Sequence, residues 1–160
     1  MNLFELIVAI IIFMILIIDQ STLNNQYHAE FSPKTLKNIL SNLQVLAITY
    51  KKPIHICGIS VNKNNHLLHN CNNNQQDWSY GILAYIDYSN SGHYNEKYEN
   101  EKLYLFIIND LNSKITNSCN SELIVNSSGR FINNCTITID NKIYNTSMVI
   151  NTQGNIEFQY

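Results

Sequence analysis

Apolar residues dominate the start of the chain, where residues 1–18 are apolar at every position except Asn2 and Glu5. As an α-helix this run would be about 27 Å long at ~1.5 Å per residue, close to the ~30 Å hydrocarbon core of a bilayer. Asp19-Gln-Ser-Thr22 marks its exit into water, after which Leu23, Tyr27 and Phe31 recur at i, i+4 and i+8 and continue the helix. Pro33 cannot donate a backbone hydrogen bond, so a kink or a fresh start is expected there. Ser32 as N-cap with Pro at the first helical position predicts the restart. Beyond it Leu36, Leu40, Leu43, Ala47 and Tyr50 form an apolar stripe widened by Ile39 and Leu46, while Lys37, Asn38, Asn42 and Gln44 occupy other faces. The pattern predicts an amphipathic half over residues 32–52 that packs on a domain rather than in lipid. Lys51-Lys52-Pro53 ends it, with cations where the helix dipole favours them.

After Pro53 the period shortens to that of strands. Residues 54–61 and 66–70 read as a hairpin with an Asn-rich turn, and 81–86 and 103–108 as short apolar strands joined by the polar stretch 87–102. Residues 122–125 and 130–139 read as a second hairpin, and 142–144, 147–151 and 156–159 as closing strands. One long N-terminal helix followed by many short strands predicts an α+β fold: a helical spine, embedded in a membrane over its first half and kinked near Pro33, packed on a mainly antiparallel, β-rich head. Residues 1–53 form the helix and 54–160 the head. No solenoid-length repeat and no Gly/Ser or Pro linker separates them, so helix and head are expected to be one rigid body.

Composition changes this picture little. The chain has 160 residues, 45% hydrophobic and only 14% charged, with a net charge of −2, so nothing favours nucleic acid or an anionic surface as partner. Asn is used heavily, so the glycosylation-like triplets at Asn126, Asn134 and Asn145 carry no weight. Cys57, Cys71, Cys119 and Cys135 are more informative. Four cysteines allow three pairings. The spacing favours Cys57 with Cys71 and Cys119 with Cys135, each facing across its own hairpin, without excluding the other two arrangements. Without a Cys-x-x-Cys pair, structural zinc is a weak reading. Disulfides place the head outside the cytoplasm.

Glu5 is the awkward residue of the opening run, because an ionised carboxylate inside a bilayer costs about 2.5–3.5 kcal/mol on insertion scales. A cleaved secretory signal would need a basic n-region and a small-residue cleavage site. The first Lys is Lys34, and Asp19-Gln-Ser21 makes a poor site. Orientation is likewise unset by early cations.

Met1-Asn-Leu-Phe-Glu5-Leu-Ile-Val resembles the mature N-terminus of type IV pilins and the related pseudopilins, with Glu5 at the family's glutamate position. Met1 stands where Phe is usual. The resemblance implies a basic leader ending in Gly, cut by a prepilin peptidase, and methylation of the new N-terminus at Met1. It also implies that Glu5 pairs with a neighbour's Met1 amine and sets subunit register in a filament, a use to which buried ion pairs are suited. In the head, Trp78-Ser-Tyr-Gly81, Asp87 and Gly92 are similar to the Trp-x-x-Gly, Asp, Gly segment of the GspH/FimT group of minor pilins and minor pseudopilins. Lys51-Lys-Pro-Ile-His-Ile-Cys57 resembles that group's helix-to-strand junction. Ser128-Gly129-Arg130, and more loosely Gln153-Gly154-Asn155, resemble its two strand-Gly-Arg turns.

Catalytic motifs are missing: there is no phosphate-binding Gly loop, nucleophile elbow or zinc-helix signature. His66 and His69 point to opposite faces of a strand and suit chelation with His55 poorly. Asp87-x-Ser89-x-Ser91-Gly92 has the cadence of a calcium loop, with Glu96 and Glu99 downstream, but serines replace the usual acids and Tyr98 stands where Glu belongs. A solvated loop is the expected reading and Asp87 a weak calcium candidate. Trp78 could be read as a ligand-stacking aromatic, but its position in the motif that resembles the GspH/FimT group implies a core aromatic against the helix. Arg130 could be read as a DNA contact, but the C-terminal residues 154–160 hold no Lys or Arg, which speaks against nucleic acid. The resulting expectation is a non-enzymatic minor pilin without cofactor. It would be anchored in the inner membrane with a periplasmic head, and would partner other pilins, an assembly platform and the prepilin peptidase. The alternatives are a minor pseudopilin of a type II secretion system and a membrane-tethered binding module contacting its partner through loop 87–102.

Overall fold

The computed structural model describes residues 31–61, 67–72, 74, 76–94, 100–108, 113–119, 122–141 and 145–159. Met1, Glu5, the apolar run and the expected kink therefore lie outside the described residues. So do His66, Glu96, Glu99 and the strand expected at 142–144.

Helix α1 (Pro33–Tyr50) begins where the sequence predicts: Ser32 is extended and its hydroxyl accepts the Thr35 N–H at 3.2 Å, with Pro33 opening the helix. At the other end Lys51 turns left-handed (φ 54°). Its N–H reaches the Ile48 carbonyl and that of Lys52 the Ala47 carbonyl, both at 3.3 Å, the Schellman arrangement. Leu36, Ile39, Leu40, Leu43 and Ala47 are buried as the stripe requires. Tyr50 is not: it is 46% exposed, because it sits in the last turn, past the final core residue Ala47.

The head contains two antiparallel sheets. In the first, β1 (Ile54–Val61) pairs with β3 (Gly81–Asp87), which pairs with β4 (Asn100–Ile107). The other edge of β1 is shared by β2 (Leu67–Cys71) along residues 59–61 and β6 (Leu123–Val125) along residues 54–56. The second sheet runs β5 (Lys114–Asn117), β7 (Cys135–Asp140), β8 (Asn145–Ile150), β9 (Ile156–Gln159). Segment 76–78 joins the sheets: Trp78 N–H donates to Ile115 O at 2.9 Å and Asn117 N–H to Gln76 O at 2.8 Å.

The faces explain the composition of the strands. Ile54, Ile56, Ile82, Ala84, Ile86 and Phe106 turn toward α1 and share one core with Ile137, Ile139, Met148 and Ile150 of the second sheet. Cys57, Ile59, Leu83 and Tyr85 turn the other way into a small second core with Leu105, Ile107 and Tyr94. β3 is thus buried on both faces and reads as a continuous apolar run, while β7 and β8 alternate buried and half-exposed.

One expectation is corrected. Residues 122–125 and 130–139 do not form a hairpin. Asn126 to Arg130 is a tight turn, and Val125 bridges Phe131 with the Ile132 N–H donating to Ile124 O at 2.9 Å, but the pairing goes no further. The chain then enters the second sheet as β7, whose edges are taken by β5 and β8. β5 itself was not anticipated, since Lys-Ile-Thr-Asn offers no apolar run.

Candidate functional site

Two turns of the head meet the outer half of α1. In each, an Asn side chain organises five residues of the pattern Asn-x-x-Gly-x. Asn126 Oδ1 accepts the Ser128 and Arg130 N–H groups at 3.0 Å, and the Asn126 N–H donates to Arg130 O at 2.8 Å. Asn151 Oδ1 accepts the Gln153 and Asn155 N–H groups at 3.0 Å, and its N–H donates to Asn155 O at 3.2 Å. Gly129 and Gly154 are left-handed, with φ of 77° and 96°. That conformation is what favours glycine at Gly129, where a Cβ would also press on the Ile48 side chain of the helix at 2.7 Å from Cδ1. Gln44 of α1 closes the arrangement. Its Nε2 donates to Gly129 O at 2.8 Å and to Gly154 O at 2.9 Å. Arg130 is exposed and contributes its backbone.

Behind the first sheet, on the face away from α1, lies a polar cluster. Glu122 is only 5% exposed. It accepts the Tyr85 hydroxyl at 2.8 and 3.0 Å, and His55 Nδ1 lies 3.1 Å from its Oε2. Burial, and next the neighbouring Glu122 carboxylate, raise the Tyr85 hydroxyl pKa well above the ordinary phenol value. The Tyr85 ring packs between His55, at 5.3 Å, and Tyr94, at 5.2 Å. The Cys57–Cys71 disulfide adjoins the cluster, with sulfur and Glu122 oxygen atoms within 4.8 Å of one another.

Asp87, the weak calcium candidate, is the hub of a turn. Its Oδ1 accepts the Ser89 hydroxyl at 2.9 Å and the Ser91 N–H at 3.2 Å, and its Oδ2 accepts the Gly92 N–H at 2.8 Å. Burial opposes ionisation, but these donors and His55 outweigh it and hold the carboxyl below its ordinary value. Donors already occupy both oxygens, a set that stabilises the carboxylate without a cation. Trp78 is fully buried among core residues, as expected of a core aromatic, and its indole N–H has no partner among the described residues. Gly81 has φ 134°, and a Cβ there would strike the Phe106 carbonyl. Both favoured disulfides form, Cys57–Cys71 and Cys119–Cys135, with Cα atoms 5.5 and 5.3 Å apart. The expected setting of the second is corrected: it does not face across a hairpin of residues 122–125 and 130–139 but joins the ends of β5 and β7, in line with their antiparallel register, at the base of the segment that carries β6.

No family model matches the chain, and no curated protein matches it. Among solved structures it is similar to the type IV minor pilin FimU of Pseudomonas aeruginosa. One crystal form aligns with a TM-score of 0.56 at 13% identity over 79% of this chain and 84% of that one. A second crystal form aligns with a TM-score of 0.50 at 13% identity, over 79% of this chain and 89% of that one. This chain has the type IV pilin fold.

Within this head, sequence reasoning missed Gln44, Tyr85, Glu122 and the two turn-forming asparagines. The paired Asn-x-x-Gly spacing was a usable signal for the asparagines. Gln44 looked like any polar residue on a helix face. Glu122 looked like a strand-edge acid, and only the fold buries it.

Proposed function

We propose that this chain is a minor pilin of the GspH/FimT type, a structural subunit rather than an enzyme. Residues 1–18 hold it in the inner membrane with its head in the periplasm, until it is drawn into a type IV pilus at or near the tip. The observation that carries this reading is the combination of a pilin-fold head with the apolar opening that bears Glu5. Among the described residues no helix is long and apolar enough to cross a membrane, so the anchor rests on residues 1–18 alone. In this reading the chain is processed by a prepilin peptidase at Met1, partners other pilins and the assembly platform, and uses Glu5 to meet the amine of a neighbour's Met1. Glu5→Ala is expected to insert in the membrane normally and to be missing from sheared filaments. Normal incorporation would sink the role of Glu5. The similarity to a type IV pilus subunit favours the pilus over a type II secretion system. Deletion should therefore reduce surface pili and leave exoprotein secretion intact.

A further inference from the structure

The first sheet ends in an open edge on each side. Among the described residues β4 pairs with β3 alone, and β2 with β1 alone. Antiparallel ladders alternate between pairs that exchange hydrogen bonds and pairs that do not. The Ile108 N–H donates to Tyr80 O at 3.0 Å, which makes Phe106 with Ile82, and Tyr104 with Ala84, the next bonded pairs in that register. Leu105 and Ile107 therefore aim their N–H and C=O groups away from β3, at the open edge. The edge is also apolar. Leu103-Tyr-Leu-Phe-Ile107 is unbroken, with Leu103, Leu105 and Ile107 half-buried and Tyr104 36% exposed. Sheet edges are commonly guarded by proline or by charges within the strand. Pro33 and Pro53, the prolines of the chain, lie elsewhere, and the charges of β4, Glu101 and Lys102, precede the apolar span.

We propose that the β4 edge docks the β2 edge of a second copy of this chain, so that neighbouring heads share one continuous sheet. Unpaired backbone groups of an extended strand are matched by another extended backbone, and the chain itself carries such an edge at the far end of the same sheet. The directions agree. The order β2-β1-β3-β4 is antiparallel at each step, so β2 and β4 run in opposite senses. Two heads in the same orientation thus join β4 to β2 as an antiparallel ladder. Pairing β4 with β4 needs a two-fold axis normal to the sheet, and that axis reverses α1, which packs along the sheet. Copies anchored through residues 1–18 in one membrane share one orientation, which leaves them the β4–β2 pairing; for this step the inference rests on the proposed anchor. Charge does not oppose the contact, since β2 (Leu-Leu-His-Asn-Cys) holds no Lys, Arg, Asp or Glu. β2 has 5 residues, and its register on β1 shifts between Ile59 and Ser60. The ladder is accordingly short and weak alone, and it forms where a shared membrane holds copies at high effective concentration. Because the joined edges differ, the contact is heterologous and leaves a free edge at each end for further copies.

The test uses the full chain in a bacterial membrane, with the photocrosslinker benzoylphenylalanine in place of Asn70, an exposed residue of β2. Irradiation should give a dimer-sized product whose joined peptide, read by mass, contains β4 of a second copy. Absence of that product, or a crosslink that lands outside β4, overturns the proposal. Leu105→Pro removes an outward N–H without touching the bonds to β3. It should lower the dimer yield on the order of tenfold, as expected from losing a ladder bond or two; an unchanged yield overturns the proposal. If that variant fails to fold, Tyr104→Lys, which sets a charge on the edge, should lower the yield likewise. In dilute detergent micelles the Leu105 and Ile107 amides should exchange with solvent about tenfold or more faster than the Phe106 amide. Equal protection of all three shows an edge already covered and overturns the proposal. Glu5→Ala should keep the crosslink in the membrane while it removes the chain from filaments, so that the Glu5 role and the edge contact fail separately. Loss of the crosslink in that variant overturns a contact made by the heads.

Discussion

Gln44 donates to backbone carbonyls 85 and 110 residues away in sequence, so one side chain records the seating of α1 on both turns of the head. Gln44→Ala leaves those half-buried carbonyls without this donor and is expected to cost about 1–3 kcal/mol, read as a lower urea midpoint at unchanged slope. Gln44→Glu should cost more at neutral pH, because it sets a carboxylate against two carbonyl oxygens, and should recover part of the loss in acid. Tyr85 gives a prediction with a definite sign. Burial and the Glu122 carboxylate raise its pKa in the fold above the ordinary phenol value of 10.0, so the native state holds the proton more tightly than the unfolded chain. The stabilisation is fully present below pH 10 and is lost as pH rises through and beyond that value. The stability difference between the native protein and Tyr85→Phe should therefore shrink above pH 10, in thermal melts taken across the alkaline range. None of these roles was legible from the residues: Gln44 and Glu122 acquire partners only from distant strands and turns.

At the scale of elements, α1 shows how far local signals reach. Its start, stripe and stop follow from Ser32-Pro33, the leucines and Lys51-Lys52-Pro53, and the structure departs only at exposed Tyr50. Its C-terminal Lys51 holds a left-handed conformation that a side chain disfavours by about 1 kcal/mol. Lys51→Gly should raise stability by roughly 0.5–1 kcal/mol, measured by chemical denaturation; a fall would mean that the exposed lysine makes a contact worth more than the strain. The hairpin expected around residue 127 shows where local signals stop. The turn is present, with the Val125–Phe131 bridge beside it. Its continuation was misread because β6 finds a longer partner in β1, and β7 finds two, in β5 and β8. A turn residue controls the bend; the partner strand is chosen by total pairing and burial.

For the molecule as a whole, the segment between Cys119 and Cys135 is an excursion from the second sheet to the first and back. It carries Glu122, β6, the Gly129 turn and the core residue Phe131. The disulfide closes it at the base, where both cysteines are 3% exposed in the core shared with α1. Cys119→Ser/Cys135→Ser removes a closure of sequence separation 16 and is expected to cost about 3 kcal/mol. Hydrogen exchange should then quicken first at the Ile132 amide, which pairs with Ile124 O across the excursion, before the β3–β4 core opens. By itself the sequence determined the elements whose causes are local: the amphipathic helix with its ends, the apolar strands, the turns at Gly129 and Gly154, and the α+β class. The cysteine pairs were favoured by spacing, but one of them for a reason that the fold does not share. The tertiary structure alone decided which strands pair, that β3 is buried on both faces, that Gln44 ties the helix to two turns, and that Glu122 lies beside a pair of sulfurs. Local propensities act over a few residues. Those outcomes depend on burial and pairing between segments far apart in the chain, which no short window of sequence contains.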